Sequence, residues 1–272
     1  MRKRPIGVFD SGLGGLSAVR RIRQLLPGED LVYFGDTGRV PYGTRSRDTI
    51  RRYAAQDLRF LLTEADCRAV VVACGTVSAN ALDDLGAAYD VPIIGVIEPA
   101  ARAAACATRN GRIAVIATPS TIASEAYTKA LHAIDPSYTV IGQACALFVP
   151  LVENGFVSPD DPIPLAVAER YLAPVREAGA DTLILGCTHY PLLAEVIARV
   201  LPGVTLVDTG REAAYALSEL LAQEPCDAGT DTEPGTMRFF VSDEPQGFAN
   251  AAARFLGEAL PIAVQRVNIE AY

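Results

Sequence analysis

Short runs of Val, Ile and Leu alternate with helical patterns over most of this chain, and that rhythm restricts its fold more than any other feature. The runs predict strands over Ile6–Asp10, Asp30–Gly35, Ala69–Cys74, Ile93–Ile97, Arg112–Ala117, Tyr138–Gln143, Thr182–Cys187 and Thr205–Asp208. Between them, apolar residues at three- and four-residue spacing predict helices over 15–26, 46–64, 77–89, 100–108, 120–134, 163–178 and 191–201. Near-continuous apolar strands, each followed by an amphipathic helix, indicate an α/β architecture whose parallel sheets are covered on both faces. In such sheets a ligand binds beyond the carboxyl ends of the strands. A stretch rich in Pro, Gly, Asp and Thr over 224–235 reads as an exposed loop. A strand at 237–241 and a helix at 246–260 follow it and are expected to pack on the first part of the chain.

The rhythm repeats. The run from Ile6 matches that from Ile113, Tyr33 matches Val140, and Ile97-Glu98 matches Val207-Asp208. The pair Cys74 and Cys187 is the informative one, because it puts the same reactive side chain at the end of a strand in both halves. Each is followed by a threonine (Thr76, Thr188) and then a helical pattern. A sulfur near a helix N-terminus meets free N–H groups that favour the thiolate, and a free thiol near 8.5 needs only a modest downward shift to act as a base. The remaining cysteines, Cys67, Cys106, Cys145 and Cys226, read as small apolar side chains. Two like thiols on two like domains suit the inversion of a carbon centre, in which one group removes a proton and the other delivers one from the opposite face.

Other residues cluster near strand ends. Asp10-Ser11 and the glycines behind them form a turn before a helix. The nucleotide fingerprint fails there because Ser17 stands where its third glycine belongs. An acid and a hydroxyl at that place suit a small carboxylate ligand and a proton relay; helix capping by Asp10 is the alternative. His189, two residues past Cys187, either orients a loop or holds the thiol's proton. Pro41-Tyr42-Gly43 reads as turn chemistry, and Glu153, from spacing alone, as a helix C-terminal surface residue.

Composition removes several classes. A net charge of −8 argues against a nucleic-acid partner. The apolar run behind Met1–Pro5 is too short for a signal-peptide core, and no stretch approaches a membrane span. The expected setting is the cytosol, with free thiols. Only two histidines, His132 and His189, are present, so a histidine-rich metal site is not expected.

Seven segments in order resemble the glutamate racemases of the Asp/Glu racemase superfamily: Gly7–Leu16, Tyr33–Thr37, Pro41–Gly43, Val72–Thr76, Gly95–Pro99, Phe148–Glu153 and Leu185–Pro191. The resemblance implies two flavodoxin-like domains related by a pseudo-twofold axis, with the active site in the cleft between them. The expected domains are 1–97 with 208–272, carrying Cys74, and 98–207, carrying Cys187. It implies interconversion of L- and D-glutamate without a cofactor or a metal, supply of D-glutamate for peptidoglycan, and a homodimer. By motif, Cys74 would handle the proton of D-glutamate with help from Asp10. Cys187 would handle that of L-glutamate with help from His189, and Glu153 would be a third acidic helper. Substrate contacts would come from Asp10, Ser11, Tyr42, Gly43, Gly75, Thr76, Thr118, Thr188 and His189. Gly75 departs from the family, which commonly has Asn there and so an amide toward the substrate. The other readings are an aspartate racemase, a one-cysteine decarboxylase or hydrolase, and an amino-acid-binding protein that does no chemistry.

Overall fold

The computed structural model describes residues 4–223, 234–260 and 263–272; Cys226 and most of the 224–235 loop lie outside them. In chain order the elements are β1 (Ile6–Asp10), α1 (Leu16–Leu25), β2 (Leu31–Gly35), α2 (Arg47–Thr63), β3 (Ala69–Val72), α3 (Gly75–Asn80), α4 (Leu82–Ala88), β4 (Ile93–Gly95), α5 (Ile97–Ala107) and β5 (Arg112–Ala117). Then come α6 (Pro119–Ala123), α7 (Ala126–Ile134), β6 (Thr139–Ala144), α8 (Phe148–Glu153), α9 (Pro162–Glu177), β7 (Thr182–Leu185), α10 (Ala194–Val200), β8 (Thr205–Asp208), α11 (Thr209–Leu221), β9 (Met237–Val241), α12 (Pro245–Leu256) and β10 (Val264–Arg266).

All strands pair in parallel, in two sheets of order β10-β9-β2-β1-β3-β4 and β6-β5-β7-β8. The pattern β2-β1-β3-β4 recurs as β6-β5-β7-β8, so the two halves share one winding. In each the strand order reverses beside the first strand, the place where doubly wound sheets open a crevice. β1, β2 and β3 are buried along their whole length, which is why they read as unbroken apolar runs rather than alternating ones. Helices α1, α11 and α5 pack in sequence between the sheets. One apolar core runs through them, from Ile6 and Val8 past Val19, Leu217 and Ala100 to Val115 and Ile184. A second core, built on Phe9, Phe34, Leu58 and Val72, fills the far face of the larger sheet.

Several expected elements differ. β3 ends at Val72 and β7 at Leu185, so Cys74 and Cys187 each lie two residues beyond a strand. The strand expected over Ile93–Ile97 ends at Gly95, and Ile97 instead opens α5. The helix expected over 77–89 is two, broken at Ala81, and that over 120–134 is two, broken where Glu125 takes a left-handed backbone. The helix expected from Pro191 begins as a 3-10 turn over Tyr190–Leu193. α11 forms where the pattern predicts nothing: its inner face is largely alanine (Ala213, Ala214), too weak an apolar signal to count.

Candidate active site

The loops after β1, β2, β3, β5 and β7 meet in a cavity of about 340 Å³, the scale of a small-molecule site. Of the sequence-predicted residues, Ser11, Tyr42, Gly43, Cys74, Gly75, Thr76, Thr118, Glu153, Cys187, Thr188 and His189 all line it. Asp10 does not; it is buried directly behind the lining.

Cys74 caps the N-terminus of α3, with its sulfur 3.6 Å from the Ser11 hydroxyl. Burial, reinforced by the Asp10 charge, pushes its thiol up to about 12, against the opposing pull of N–H groups at Val77 and Ser11. The shift is thus opposite to the expected one: enclosure outweighs the helix terminus, and burial holds Cys74 as a thiol. Asp10 folds back over its own turn, accepting from the Gly12 N–H at 3.0 Å, and does not cap α1, whose N-cap is Gly15. Burial raises its carboxyl as well; the neighbouring His189 and the N–H groups of Gly12 and Gly15 act to lower it. A carboxyl and a thiol, each raised by enclosure, therefore stand together on this side.

The other side is built differently. Cys187 precedes a turn instead of an α-helix, and its sulfur stands 3.9 Å from His189 Nδ1. The far ring nitrogen, Nε2, lies 3.0 Å from Glu153 Oε1. Burial acts against the imidazolium, but the hydrogen bonds to Cys187 and Glu153, with the charges of Cys187 and Asp10, carry His189 up to about 10. Glu153 is indeed the last residue of α8 with a half-exposed side chain, and it also fixes the ring. Arg254 of α12 donates to the carbonyls of Val152 (3.0 Å) and Glu153 (2.6 Å), closing the end of α8 from the opposite half.

Hydroxyls tie the halves across the floor. The Thr76 and Thr118 hydroxyls are 3.0 Å apart, and Thr118 also caps α6 through the Thr121 N–H. Thr188 donates to Asp10 Oδ1 at 3.5 Å, and the Ser17 hydroxyl to the Thr188 carbonyl at 3.1 Å. Backbones approach just as closely. A Cβ on Gly75 would stand 2.5 Å from the Gly186 carbonyl oxygen, and one on Gly14 would stand 2.0 Å from the Thr188 hydroxyl. The glycine that departs from the family pattern thus sits where the two cysteine loops touch.

Tyr42 lines the cavity without turning its hydroxyl into it. Its hydroxyl is turned away from the cavity and donates to the buried carboxylates of Asp36 and Asp57. Arg39 bridges the same two acids at 2.6 and 2.9 Å and lies over the Tyr53 ring. Tyr42 therefore offers the cavity its backbone, and the cluster behind it holds the loop. The sequence reading missed the apolar part of the wall, Leu13, Val40, Val149 and Pro150. It also missed Arg254. Leu13, Val149 and Pro150 lie inside the motif segments Gly7–Leu16 and Phe148–Glu153 without chemistry to single them out, and Val40 and Arg254 lie outside all seven segments.

A model of the family described as Asp/Glu/Hydantoin racemase matches residues 6–217. The chain is 48% identical over 267 residues to a glutamate racemase of Geobacter metallireducens, covering 98% of this chain and 97% of that one. Among solved structures it is similar to the glutamate racemase of Francisella tularensis in complex with D-glutamate, with TM-score 0.91 and 39% identity over 99% of each chain. It is also similar to that of Thermus thermophilus in complex with beta-chloro-D-alanine, with TM-score 0.88 and 42% identity over 99% of each.

Proposed function

The chain belongs to the Asp/Glu/hydantoin racemase family, and we propose that it interconverts L- and D-glutamate by passing protons between the substrate α-carbon and two thiols. The observation that carries this reading is the pair Cys74 and Cys187, equivalent in the two half-folds and lining one cavity from opposite halves.

On one side Cys187, as a thiolate paired with the protonated His189 ring that Glu153 holds, takes the α-proton of L-glutamate. On the other, the Cys74 thiol already carries a proton and delivers it to the opposite face. For D-glutamate the roles reverse. Cys74 must first lose its proton; the Asp10 carboxylate is the group that accepts it, and the incoming ammonium group of the substrate stabilises the thiolate that forms. The hydroxyls of Ser11, Thr76, Thr118 and Thr188 and the N–H groups of the Tyr42–Gly43 and Gly75 turns suit the two carboxylates. Domain limits at 97/98 and 207/208 are part of the same reading; the first falls between β4 and β5, and the second lies one residue before the end of β8. The same reading includes a homodimer in the cytoplasm that supplies D-glutamate for peptidoglycan, as the sequence resemblance implies.

In deuterated water either enantiomer of glutamate is expected to gain deuterium at the α-carbon. Cys74→Ala and Cys187→Ala are each expected to lower racemisation by roughly 10²–10⁴-fold, the usual worth of a positioned acid or base. Absence of exchange with glutamate, or exchange with aspartate alone, would overturn the assignment; near-normal turnover in either variant would overturn the two-thiol mechanism.

A further inference from the structure

The turn after Cys187 lacks a hydrogen bond that its neighbours have. Carbonyls there accept the N–H three residues ahead: Cys187 from Tyr190 at 3.0 Å, and His189 from Leu192 at 3.1 Å. The Thr188 carbonyl between them faces Pro191 at that spacing, and proline has no N–H. The next N–H along the chain, that of Leu192, already bonds His189. Thr188 is buried, and an enclosed carbonyl without a donor is unfavourable.

The donor comes from the opposite half of the molecule. Ser17, buried in the first turn of α1, places its hydroxyl 3.1 Å from the Thr188 carbonyl oxygen. The same hydroxyl lies 2.8 Å from the Gly14 carbonyl, which already accepts the Ser17 N–H at 3.0 Å. A serine bonding back to its own helix is an ordinary local pattern. The hydroxyl has one hydrogen, however, and among the described residues Thr188 is the carbonyl with no other donor. Ser17 is also the residue that interrupts the nucleotide fingerprint. Close backbone approach is made instead at Gly14, where a Cβ would stand 2.6 Å from His189 Nδ1. Position 17 carries a donor.

The bond holds the peptide that joins Thr188 to His189, the backbone from which the imidazole projects. Ser17 does not line the cavity, so it acts on the site only through that turn. We propose that Ser17 is a positioning residue, its hydroxyl fixing the Cys187–His189 turn of one half against the Asp10 turn of the other. Asp10, which serves Cys74, and His189, which serves Cys187, are thereby kept in register by a hydroxyl that touches neither. The inference rests on the reading of Cys187 and His189 as a proton-transfer pair.

The test is the NMR titration of both histidine rings in the whole protein, with isotope-labelled histidine. Exposed His132 is the control, and His189→Gln identifies the other signal. The His189 ring meets Cys187, Glu153, Thr188 and the Phe255 ring and feels the Asp10 charge. Its value of about 10 depends on the bonds to Cys187 and Glu153, which oppose burial. Ser17→Ala keeps the helix and drops the donor. It is expected to bring the His189 midpoint down to about 9, an about tenfold weakening of the charged form. His132 should not move, and racemisation should lose kcat several-fold with little change in KM. Ser17→Thr keeps a hydroxyl there and should hold His189 at its native midpoint. An unmoved His189 in the alanine protein overturns the proposal. So does an equal fall with threonine, or a shift of both histidines, which would mean a general structural effect. Should the alanine protein fail to fold, Ser17→Cys leaves a weaker donor; a lowered His189 midpoint is then expected, and a native one overturns the proposal. The titration does not depend on turnover. A lowered midpoint in a protein that fails to racemise glutamate would sink the function and leave the placement of His189 by Ser17 standing; turnover with an unmoved midpoint would do the reverse.

Discussion

At the scale of single residues, the site is a contest between burial and local charge. Asp10 disfavours ionisation of the Cys74 thiol beside it while offering that thiol a proton partner. Asp10→Asn separates these effects. Removing the charge should speed alkylation of Cys74 at neutral pH, by up to about tenfold. Removing the partner should slow racemisation of D-glutamate by roughly 10²–10⁴-fold. His189 gives a complementary prediction on stability. Its folded value of about 10 lies above the ordinary 6.5, so the protonated ring stabilises the fold fully below pH 6.5, and that contribution is lost as pH rises toward 10. Thermal midpoints taken from pH 6 to pH 10 should therefore fall more for the native protein than for His189→Gln. Parallel curves would show that the ring is not held as an imidazolium.

At the scale of elements, the cleft closes on glycines. Gly75 meets Gly186 across the two cysteine loops, and Gly75→Asn, which restores the common family residue, has no room for its Cβ unless those loops part. We expect this variant to raise the KM for glutamate several-fold with a smaller change in kcat, and a structure of it to show the Cys74 and Cys187 loops separated. An unchanged KM would mean the contact is not kept in solution. This contact was not legible in the sequence, although both cysteines, the threonines beside them and the alternation of strands and helices along the chain were. Residues with chemistry at a strand end announce themselves through apolar periodicity and local motif. A missing Cβ that matters only against a carbonyl some 110 residues away does not. The same reason hides the broken helices and the direction of the Tyr42 hydroxyl, which answers to Asp36 and Asp57 behind the loop. For Glu153, spacing alone gave its helix-end position; its bond to His189 needed the fold.

At the scale of the whole molecule, the two halves are joined by polar clamps as well as by the shared core. Arg254 reaches from α12 to the last carbonyls of α8 and so steadies Glu153, two contacts away from Cys187. Arg254→Met keeps much of the stem's packing but drops both bonds. It should lower kcat several-fold with little change in KM, and an unaltered kcat would show that α8 holds Glu153 unaided. Arg39, whose ionic partners Asp36, Asp57 and Glu270 all lie in the larger half, shows the cost of removing an ion pair within one half. It lies between buried Asp36 and Asp57, and Arg39→Met leaves two enclosed carboxylates uncompensated. A loss of about 3–5 kcal/mol in urea denaturation is expected. The order of strands in the larger sheet has one more consequence, which concerns how the protein is made. β2 is flanked on one side by β1, available early, and on the other by β9, more than 200 residues later. A chain emerging from the ribosome thus displays an open, wholly apolar strand margin until its final segment appears. Cys74 and Cys187 are both synthesised before the sheet beneath the first of them can be completed, so the nascent chain holds both reactive thiols before it has the finished enclosure that governs them.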